Sequence, residues 1–168
     1  MPVVLTRIDQ KLIHGQILSG WVPFLDINKI VVVDEDTTQS PMIMRIMSSA
    51  VPANITTSFL TPDRLKDDLG CDSQPEVRCL ILFKDVAGAK DALREDPSCL
   101  DSINLGYYAH LPGVRCVKIH TFFSAVEEEL EQLNWIASQG TELYAQSVPN
   151  APKVHINPAK IVWPWNCR

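Results

Sequence analysis

Seven short apolar runs are spaced along the chain, and Pro, Gly, Asn or Asp positions bound most of them. Their length and their content of β-branched residues are typical of strands buried in a sheet. We predict strands at PVVLTRI (2–8), NKIVVVD (28–34), NITTSFL (54–60), VRCLILFK (77–84), DSINLG (101–106), VRCVKIHTF (114–122) and TELYAQSV (141–148).

Helix-length amphipathic segments separate most of these runs. The clearest is SAVEEELEQLNWIASQG at 124–140, where apolar residues recur at helical spacing and Gly140 supplies the stop. Ser124 and Glu127 have the spacing of a capping box, which predicts that this helix begins near residue 124.

Alternating strands and helices define the fold class. A further helix is predicted at 61–69, with Thr61 as its N-cap and Pro62 in the first helical position. Such alternation implies βαβ units and a mainly parallel sheet that is covered on both faces. We therefore predict an α/β fold, a single doubly wound, mostly parallel seven-stranded sheet flanked by helices, over residues 1–151.

Residues 152–168 are predicted to form a Pro/Trp-rich C-terminal tail. Four prolines fall within residues 149–168, which excludes a regular helix there. Trp163 and Trp165 are expected to be buried, either against the domain or against a partner chain.

Composition favours one globular domain and narrows the function. The chain has 168 residues, 46% of them hydrophobic and 21% charged, which is enough for a sizeable core. It shows neither a secretory signal nor a membrane-spanning stretch, so we expect a cytoplasmic protein. The net charge of −5 argues against nucleic-acid binding. The acidic run EEELE at 127–131 is expected to form the solvated face of a helix.

Metal-binding and nucleotide-binding patterns are missing from the sequence. The five cysteines are scattered without a CxxC pair, so we expect reduced thiols. His110, His120 and His155 lack zinc spacing, and the acids at 34–36 favour a negatively charged rim over a calcium loop. We predict no metal and no other cofactor. A nucleotide-binding module is the weaker alternative, because neither GxGxxG nor a P-loop occurs.

The segment RIDQKLIHGQ at 7–16 follows the first predicted strand. Ligands of open parallel sheets bind beyond the carboxyl ends of the strands, so the residues after Ile8 lie on the functional edge. A helix is predicted to begin between Leu12 and Gly15. This start places His14 near the first turn, where free N–H groups and the helix dipole favour an anion.

The residue types around His14 suit phosphoryl transfer. Arg7 and Lys11 add positive charge, and Asp9 can hold the imidazole in one tautomer by accepting one of its N–H groups. Gly15 lets the backbone approach a ligand closely. An imidazole nitrogen beside an anion site can accept a phosphoryl group and pass it on. A surface or capping histidine is the other interpretation of these residues alone.

RIDQKLIHGQ resembles the active-site loop of the IIB component of the mannose/fructose/sorbose family of the bacterial sugar phosphotransferase system, whose usual pattern is R-I-D-x-R-L-I-H-G-Q. The segments VVVDED, AVPANI, INLGYYAH and GTELYAQSVPNA also resemble stretches of that family. The resemblance therefore extends over residues 3–151.

The resemblance implies that His14 takes a phosphoryl group from the IIA component and transfers it to a sugar entering through the IIC/IID membrane complex. In the family the group is carried on Nδ1. The resemblance also implies support roles for Arg7, Asp9, Gly15 and Gln16, and a mostly parallel seven-stranded fold. Peripheral association with the membrane complex and a possible homodimer are further expectations.

Two positions depart from the family pattern. Lys11 stands where the family usually has arginine, and Tyr107 replaces the second glycine of I-N-V-G-G, after Gly106. These departures leave open a second function, a regulatory phosphoacceptor that signals its phosphorylation state without modifying sugar. Gly106 and Lys84 follow or end predicted strands and are further candidates for the phosphate site. For Lys84, a solvated loop pair with Asp85 is the other interpretation.

Overall fold

A computed structural model of the chain describes residues 3–71 and 76–163. Its strands are β1 Val3–Ile8, β2 Lys29–Val33, β3 Thr56–Leu60, β4 Cys79–Phe83, β5 Ser102–Leu105, β6 Val117–His120, β7 Phe123–Ala125, β8 Glu142–Ala145 and β9 Val154–His155. Its α-helices are α1 Val22–Phe24, α2 Glu35–Thr38, α3 Pro41–Ala50, α4 Leu65–Cys71, α5 Val86–Glu95 and α6 Glu127–Ser138. A π-helical turn, Ile17–Trp21, precedes α1, and 3₁₀ turns lie at Pro62–Arg64 and Pro158–Lys160.

The main sheet has seven strands in the order β3-β2-β4-β1-β5-β8-β9. Neighbours from β3 to β8 pair in parallel, and β9 pairs antiparallel to β8 at one edge. This arrangement confirms the predicted α/β fold with a mostly parallel seven-stranded sheet and flanking helices.

Two apolar layers cover the two faces of the sheet. In β4, every residue of CLILF is fully buried, which explains why this strand reads as an unbroken apolar run. Ile81 and Phe83 pack into the layer that contains α5 and α6, whereas Leu80 and Leu82 pack into the layer with Trp21. Strand β4 is therefore held by apolar packing on both of its faces.

The membership of the main sheet differs from the sequence prediction. The sixth predicted strand, 114–122, contains β6, which pairs antiparallel with β7 in a separate two-stranded sheet. The seventh strand of the main sheet is β9, which lies in the predicted tail. No residue of β6 is fully buried: Lys118 is exposed and the other three are half-buried, so this strand lacks the buried character of β4. An apolar run predicts a strand but does not say which sheet the strand joins.

Helix α6 begins later than predicted. Ser124 lies in β7, where its N–H donates to Tyr108 O at 2.9 Å, so this residue is unavailable as a cap. The N-cap is Val126, and its N–H donates to Glu129 Oε2 at 2.8 Å. The helix therefore starts about half a turn later than predicted, and because valine has no side-chain acceptor only the Glu129 half of a capping box is present.

The helix predicted at 61–69 is present in two parts. The turn at Pro62–Arg64 is 3₁₀, and α4 continues from it. Thr61 occupies the N-cap position with extended backbone angles, but its side chain makes no capping hydrogen bond.

The acidic run at the start of α6 is not wholly solvated, contrary to the sequence interpretation. The Glu129 side chain is 15% exposed. Its Oε1 accepts from the Tyr108 hydroxyl at 2.7 Å, and His110 Nε2 lies 2.8 Å from its Oε2. Burial and the adjacent Glu129 carboxylate raise the pKa of Tyr108, so its hydroxyl keeps the donated proton. Glu129 thereby ties the segment after β5 to α6.

Residues 152–163, the described part of the predicted tail, return to the domain. Ile156 packs against the core, and its N–H donates to Leu143 O at 2.8 Å. Trp163 is 8% exposed, and Arg115 Cζ lies 5.5 Å from the centroid of its ring. Trp165, also predicted to be buried, lies outside the described residues.

Replacing Trp163 with alanine should lower the free energy of unfolding by about 3 kcal/mol, because a large buried ring is lost. Urea unfolding monitored by far-UV circular dichroism measures this change. Val162→Ala is the control, since Val162 is 79% exposed and should change stability by less than about 0.5 kcal/mol. Equal stabilities for the two variants would show that Trp163 does not hold the tail on the domain.

Candidate active site

The segments that follow β1, β5 and β8 meet at the carboxyl edge of the sheet. β1 lies between β4 and β5. The chain leaves β1 for β2 on one side and leaves β5 for β8 on the other, so strand order reverses between β1 and β5. Such a switch point opens a crevice at the carboxyl ends, where ligands of doubly wound sheets bind.

Arg7 is buried at the end of β1 although it is charged. Its side chain is 1% exposed, and Nε and Nη2 donate to Asp9 Oδ2 at 3.0 and 2.9 Å. Nη1 donates to Asn104 Oδ1 and to Gln146 O, and Nη2 donates to Ser147 O at 3.4 Å. Burial lowers the pKa of Arg7, and Asp9 opposes this shift. Because arginine starts far above neutrality, the guanidinium stays charged.

Gly106 makes room for this guanidinium. A Cβ at position 106 would lie 2.5 Å from Cζ and Nε of Arg7, which is closer than side-chain atoms can pack. The Gly106 N–H donates to Ile8 O at 2.8 Å and extends the pairing of β1 with β5. Gly106, predicted to bind or support phosphate, thus lies against Arg7, and any support it gives passes through that side chain.

Asp9 connects the residues of the site through one fully buried carboxylate. Besides the Arg7 contacts, its Oδ1 accepts from the Lys11 N–H at 3.1 Å. Its Oδ2 accepts from the Tyr107 N–H at 3.3 Å and lies 3.2 Å from His14 Nε2.

The pKa of Asp9 lies below its ordinary value. Burial alone would raise this pKa, because desolvation penalises a carboxylate. The hydrogen bond from His14 and the positive charge of Arg7 outweigh burial. Asp9 is therefore an anion at neutral pH, and an ionised carboxylate can only accept hydrogen bonds.

The charge on Asp9 fixes the tautomer of His14. Since Asp9 only accepts, Nε2 of His14 must donate, and a neutral imidazole then keeps its lone pair on Nδ1. The His14 side chain is 18% exposed. An unprotonated nitrogen on a partly exposed ring can attack an electrophile from solvent or from a docked partner.

A helix begins directly after His14. Residues 15–24 are helical. The first of them, Gly15, lies within the range from Leu12 to Gly15 in which the sequence predicted the helix to begin. The His14 carbonyl accepts from the N–H groups of Ile17 and Leu18, both at 3.0 Å. The imidazole therefore stands at the amino end of this helix.

Leu12 turns the chain between Asp9 and His14. Its φ of +52° lies in the left-handed region that bulky side chains rarely adopt. Its side chain is 3% exposed in the core, and its N–H donates to Asp9 O at 2.9 Å. Burial of Leu12 therefore stabilises the strained turn that brings His14 back to Asp9.

Gly15 and Gln16 occupy the first helical positions, and both are exposed. A Cβ at position 15 would have no atom within 4 Å, so the space beside this backbone is open. Within the described ranges, no backbone carbonyl accepts from the N–H of Gly15 or of Gln16. These donors suit an anionic oxygen at the helix start.

Lys11 and Tyr107 lie against each other at the rim of the site. Lys11 Nζ is 4.1 Å from the centroid of the Tyr107 ring. Tyr107 O also accepts from the Gln10 N–H at 2.8 Å, and Gln10 Oε1 accepts from the Ala109 N–H at 3.4 Å. The segments after β1 and β5 are thus joined by backbone bonds as well as by this pair.

Lys84 binds elsewhere on the same edge. Its Nζ lies 3.4 Å from Asp34 Oδ2 and 3.2 Å from Asp36 Oδ2. Burial alone would lower the pKa of Lys84, but these two carboxylates raise it overall. Asp85 accepts from the Gly88 N–H at 2.8 Å and caps α5. Lys84 therefore pairs with the acidic rim instead of with Asp85, and none of its contacts in the described chain reaches the His14 cluster.

Sequence reasoning missed several residues that hold the cluster. Asn104 and the carbonyls of Gln146 and Ser147 bind Arg7. Trp21 lies over the same guanidinium, 5.7 Å from Cζ to ring centroid, and its Nε1 donates to Ser147 O at 3.3 Å. Only Asn104 gave a signal, as a polar residue within a buried strand; backbone carbonyls leave no trace in residue type.

The part of the chain that the structure describes contains no group of three or more His, Cys, Asp or Glu residues arranged to hold a metal ion. None of its helices is both long and apolar enough to cross a bilayer.

The family model for the sorbose-subfamily IIB component of the phosphotransferase system matches residues 3–161. The chain therefore belongs to the IIB components of the sugar phosphotransferase system, as its loop resemblance predicted. IIB components are phosphotransferases that work with IIA and with membrane IIC and IID components.

Individual relatives agree with this family. The chain is 26% identical over 156 residues to the N-acetylgalactosamine-specific IIB component 2 of Escherichia coli K12, covering 92% of this chain and 96% of the relative. It is 23% identical over 154 residues to the mannose-specific EIIAB component of the same strain, covering 92% of this chain and 47% of that one. An N-acetyl-galactosamine IIB structure from Streptococcus pyogenes has a TM-score of 0.85 at 21% identity, covering 96% and 98% of the two chains, and shows the shared fold.

Replacing Asp9 with asparagine should destabilise the protein by about 3 kcal/mol at neutral pH, because Arg7 would lose its buried counter-charge. The pKa of Asp9 is lower in the folded protein than in the unfolded chain. Below pH ~4 the folded state therefore binds fewer protons than the unfolded state. The contribution of the Asp9 charge is thus complete above its ordinary pKa and is lost as pH falls through the lowered value.

Urea unfolding of wild type and variant from pH 7 to pH 3 measures this dependence. The stability difference should stay constant down to about pH 4 and shrink below it. Asp91→Asn is the control, since its side chain is 56% exposed and should give no such change. A difference that grows on acidification would contradict the lowered pKa of Asp9.

Proposed function

We propose that this chain is a phosphoryl carrier of a sugar phosphotransferase system, a phosphohistidine–sugar phosphotransferase whose acceptor is His14. In this proposal, Nδ1 of His14 receives a phosphoryl group from a phosphohistidine of IIA and transfers it to a sugar during uptake through IIC and IID. The contact of His14 Nε2 with the buried Asp9 carboxylate supports the proposal most directly, because it leaves the lone pair on Nδ1.

The two transfer steps need neither an oxidant nor a reductant, and solvent water takes up the proton that is released. First, the Nδ1 lone pair attacks phosphorus while the bond to the donor imidazole breaks and its electrons return to that ring. Second, a sugar hydroxyl attacks phosphorus and releases its proton to water, while the bond to Nδ1 breaks and its electrons return to the ring, which with Nε2–H is again a neutral imidazole. Both steps transfer one group between in-line partners, so positioning and charge stabilisation supply most of the catalysis.

Two kinds of group support the phosphoryl oxygens in this proposal. The N–H groups of Gly15 and Gln16, which donate to no backbone carbonyl of the described residues, lie at the helix start next to His14. The Lys11 ammonium is exposed at the rim. Arg7 is assigned a different role, since it is buried and its nitrogens bind Asp9 and neighbouring carbonyls. It orients Asp9 and does not contact phosphate.

The partners follow from the family. The E. coli mannose-specific relative is named as an EIIAB component, which joins the two activities in one chain. For the present chain we propose a IIA donor, an incoming sugar as acceptor, and peripheral association with a IIC/IID complex from the cytoplasmic side. The sugar itself is left to the membrane components, and pairing of two copies stays a prediction.

His14→Ala should abolish phosphorylation without unfolding the protein, because the side chain lies on a partly exposed loop. Radiolabelled phosphoenolpyruvate, fed through the upstream carriers and IIA, should add one phosphoryl group per wild-type chain. That group should be stable to base and labile to acid. His155→Ala is the control, with a histidine side chain that is 71% exposed, and should be labelled like wild type.

A second stage separates the carrier from a regulatory phosphoacceptor. Membrane vesicles containing IIC and IID, together with candidate sugars, are added to the labelled protein. A carrier loses its label to sugar phosphate, whereas a regulatory domain keeps it. Undiminished labelling of His14→Ala would refute the assignment of His14 under either function.

A further inference from the structure

Lys11 is an exposed cationic side chain of the loop after β1. Tyr107 presents the face of its ring to this side chain. The separation of 4.1 Å between Lys11 Nζ and the ring centroid is well within the range of a cation–π interaction. The four-carbon stem of Lys11 is flexible, so without a neighbour its ammonium group would occupy many positions in solvent. The ring therefore confines the ammonium group to one side of the loop.

The position of Tyr107 relative to His14 is fixed by the backbone. The Tyr107 N–H donates to Asp9 Oδ2, the same oxygen that lies 3.2 Å from His14 Nε2. The Tyr107 carbonyl accepts from the Gln10 N–H at 2.8 Å. Two backbone bonds thus attach Tyr107, whose ring stacks on Lys11, to the loop that contains His14.

We infer that Tyr107 is a positioning residue for phosphoryl transfer, which holds the Lys11 ammonium at the rim of the His14 site and thereby stabilises the phosphorylated state. This inference rests on the proposed function of His14. Lysine is a compact point charge without the planar fork of arginine, and it gains orientation from a neighbour. The ring reduces the side-chain entropy that Lys11 loses when a phosphoryl group arrives.

The equilibrium of phosphoryl exchange between IIA and this chain tests the inference. The fraction of phosphohistidine on each protein is read by phosphorus NMR after mixing equal amounts. Tyr107→Leu removes the ring face but keeps an apolar side chain, and it should shift the equilibrium about two- to fivefold toward IIA. Tyr107→Phe keeps the ring face and should match wild type.

A double-mutant cycle shows whether the effect passes through Lys11. In the Lys11→Met background, Tyr107→Leu should cause no further shift, because the cation is already absent. An equal shift in both backgrounds, no shift in either, or a shift toward the present chain would overturn the inference. A fluorinated phenylalanine at position 107 keeps the shape of the ring but weakens its negative face, and it should reproduce the effect of leucine even if Tyr107→Leu folds poorly.

The control for the proposed function is internal to this experiment. If wild type itself takes no phosphoryl group from IIA, the assignment of His14 fails. If wild type is phosphorylated and the Tyr107 variants behave identically to it, only the positioning role of Tyr107 fails.

Discussion

The buried ion pair of Arg7 and Asp9 is the interaction on which the site depends. Placing two charges out of water costs several kcal/mol for each ion, and that cost is offset only when geometry and further hydrogen bonds are good. Here Arg7 donates to Asp9, Asn104 and two backbone carbonyls, and Asp9 accepts from two backbone N–H groups as well. The pair therefore joins the ends of β1, β5 and β8 in one network.

This network connects the rigid sheet to the partly exposed imidazole ring of His14. Asp9 stays ionised because the hydrogen bond from His14 and the charge of Arg7 outweigh the effect of burial on its pKa. An ionised carboxylate only accepts hydrogen bonds, so His14 must donate from Nε2. The buried Leu12 closes the turn between them at a positive φ. A reactive nitrogen on a surface loop is thus oriented by groups in the core, which lowers the cost of positioning it for reaction.

The sequence predicted the features of the fold and of the site that leave a pattern in residue type. The loop pattern singled out His14 together with Arg7, Asp9 and Lys11 around it. The fold class followed from fully apolar runs such as that of β4. The sequence could not predict that β9 would complete the sheet, because two residues in a Pro-rich segment have no strand pattern of their own. The stacking of Lys11 on Tyr107 also depends on two segments that lie far apart in the chain.

The most direct test of the account is the identity of the phosphorylated nitrogen. Two-dimensional NMR of protein labelled with ¹⁵N-histidine distinguishes the ring nitrogens of His14 before and after reaction with phospho-IIA. We predict a protonated Nε2 before reaction and a phosphorus–nitrogen coupling at Nδ1 afterwards, because Asp9 holds Nε2 in both states. A phosphoryl group on Nε2 would contradict it, since that nitrogen would have to leave the Asp9 carboxylate on which the whole arrangement is built.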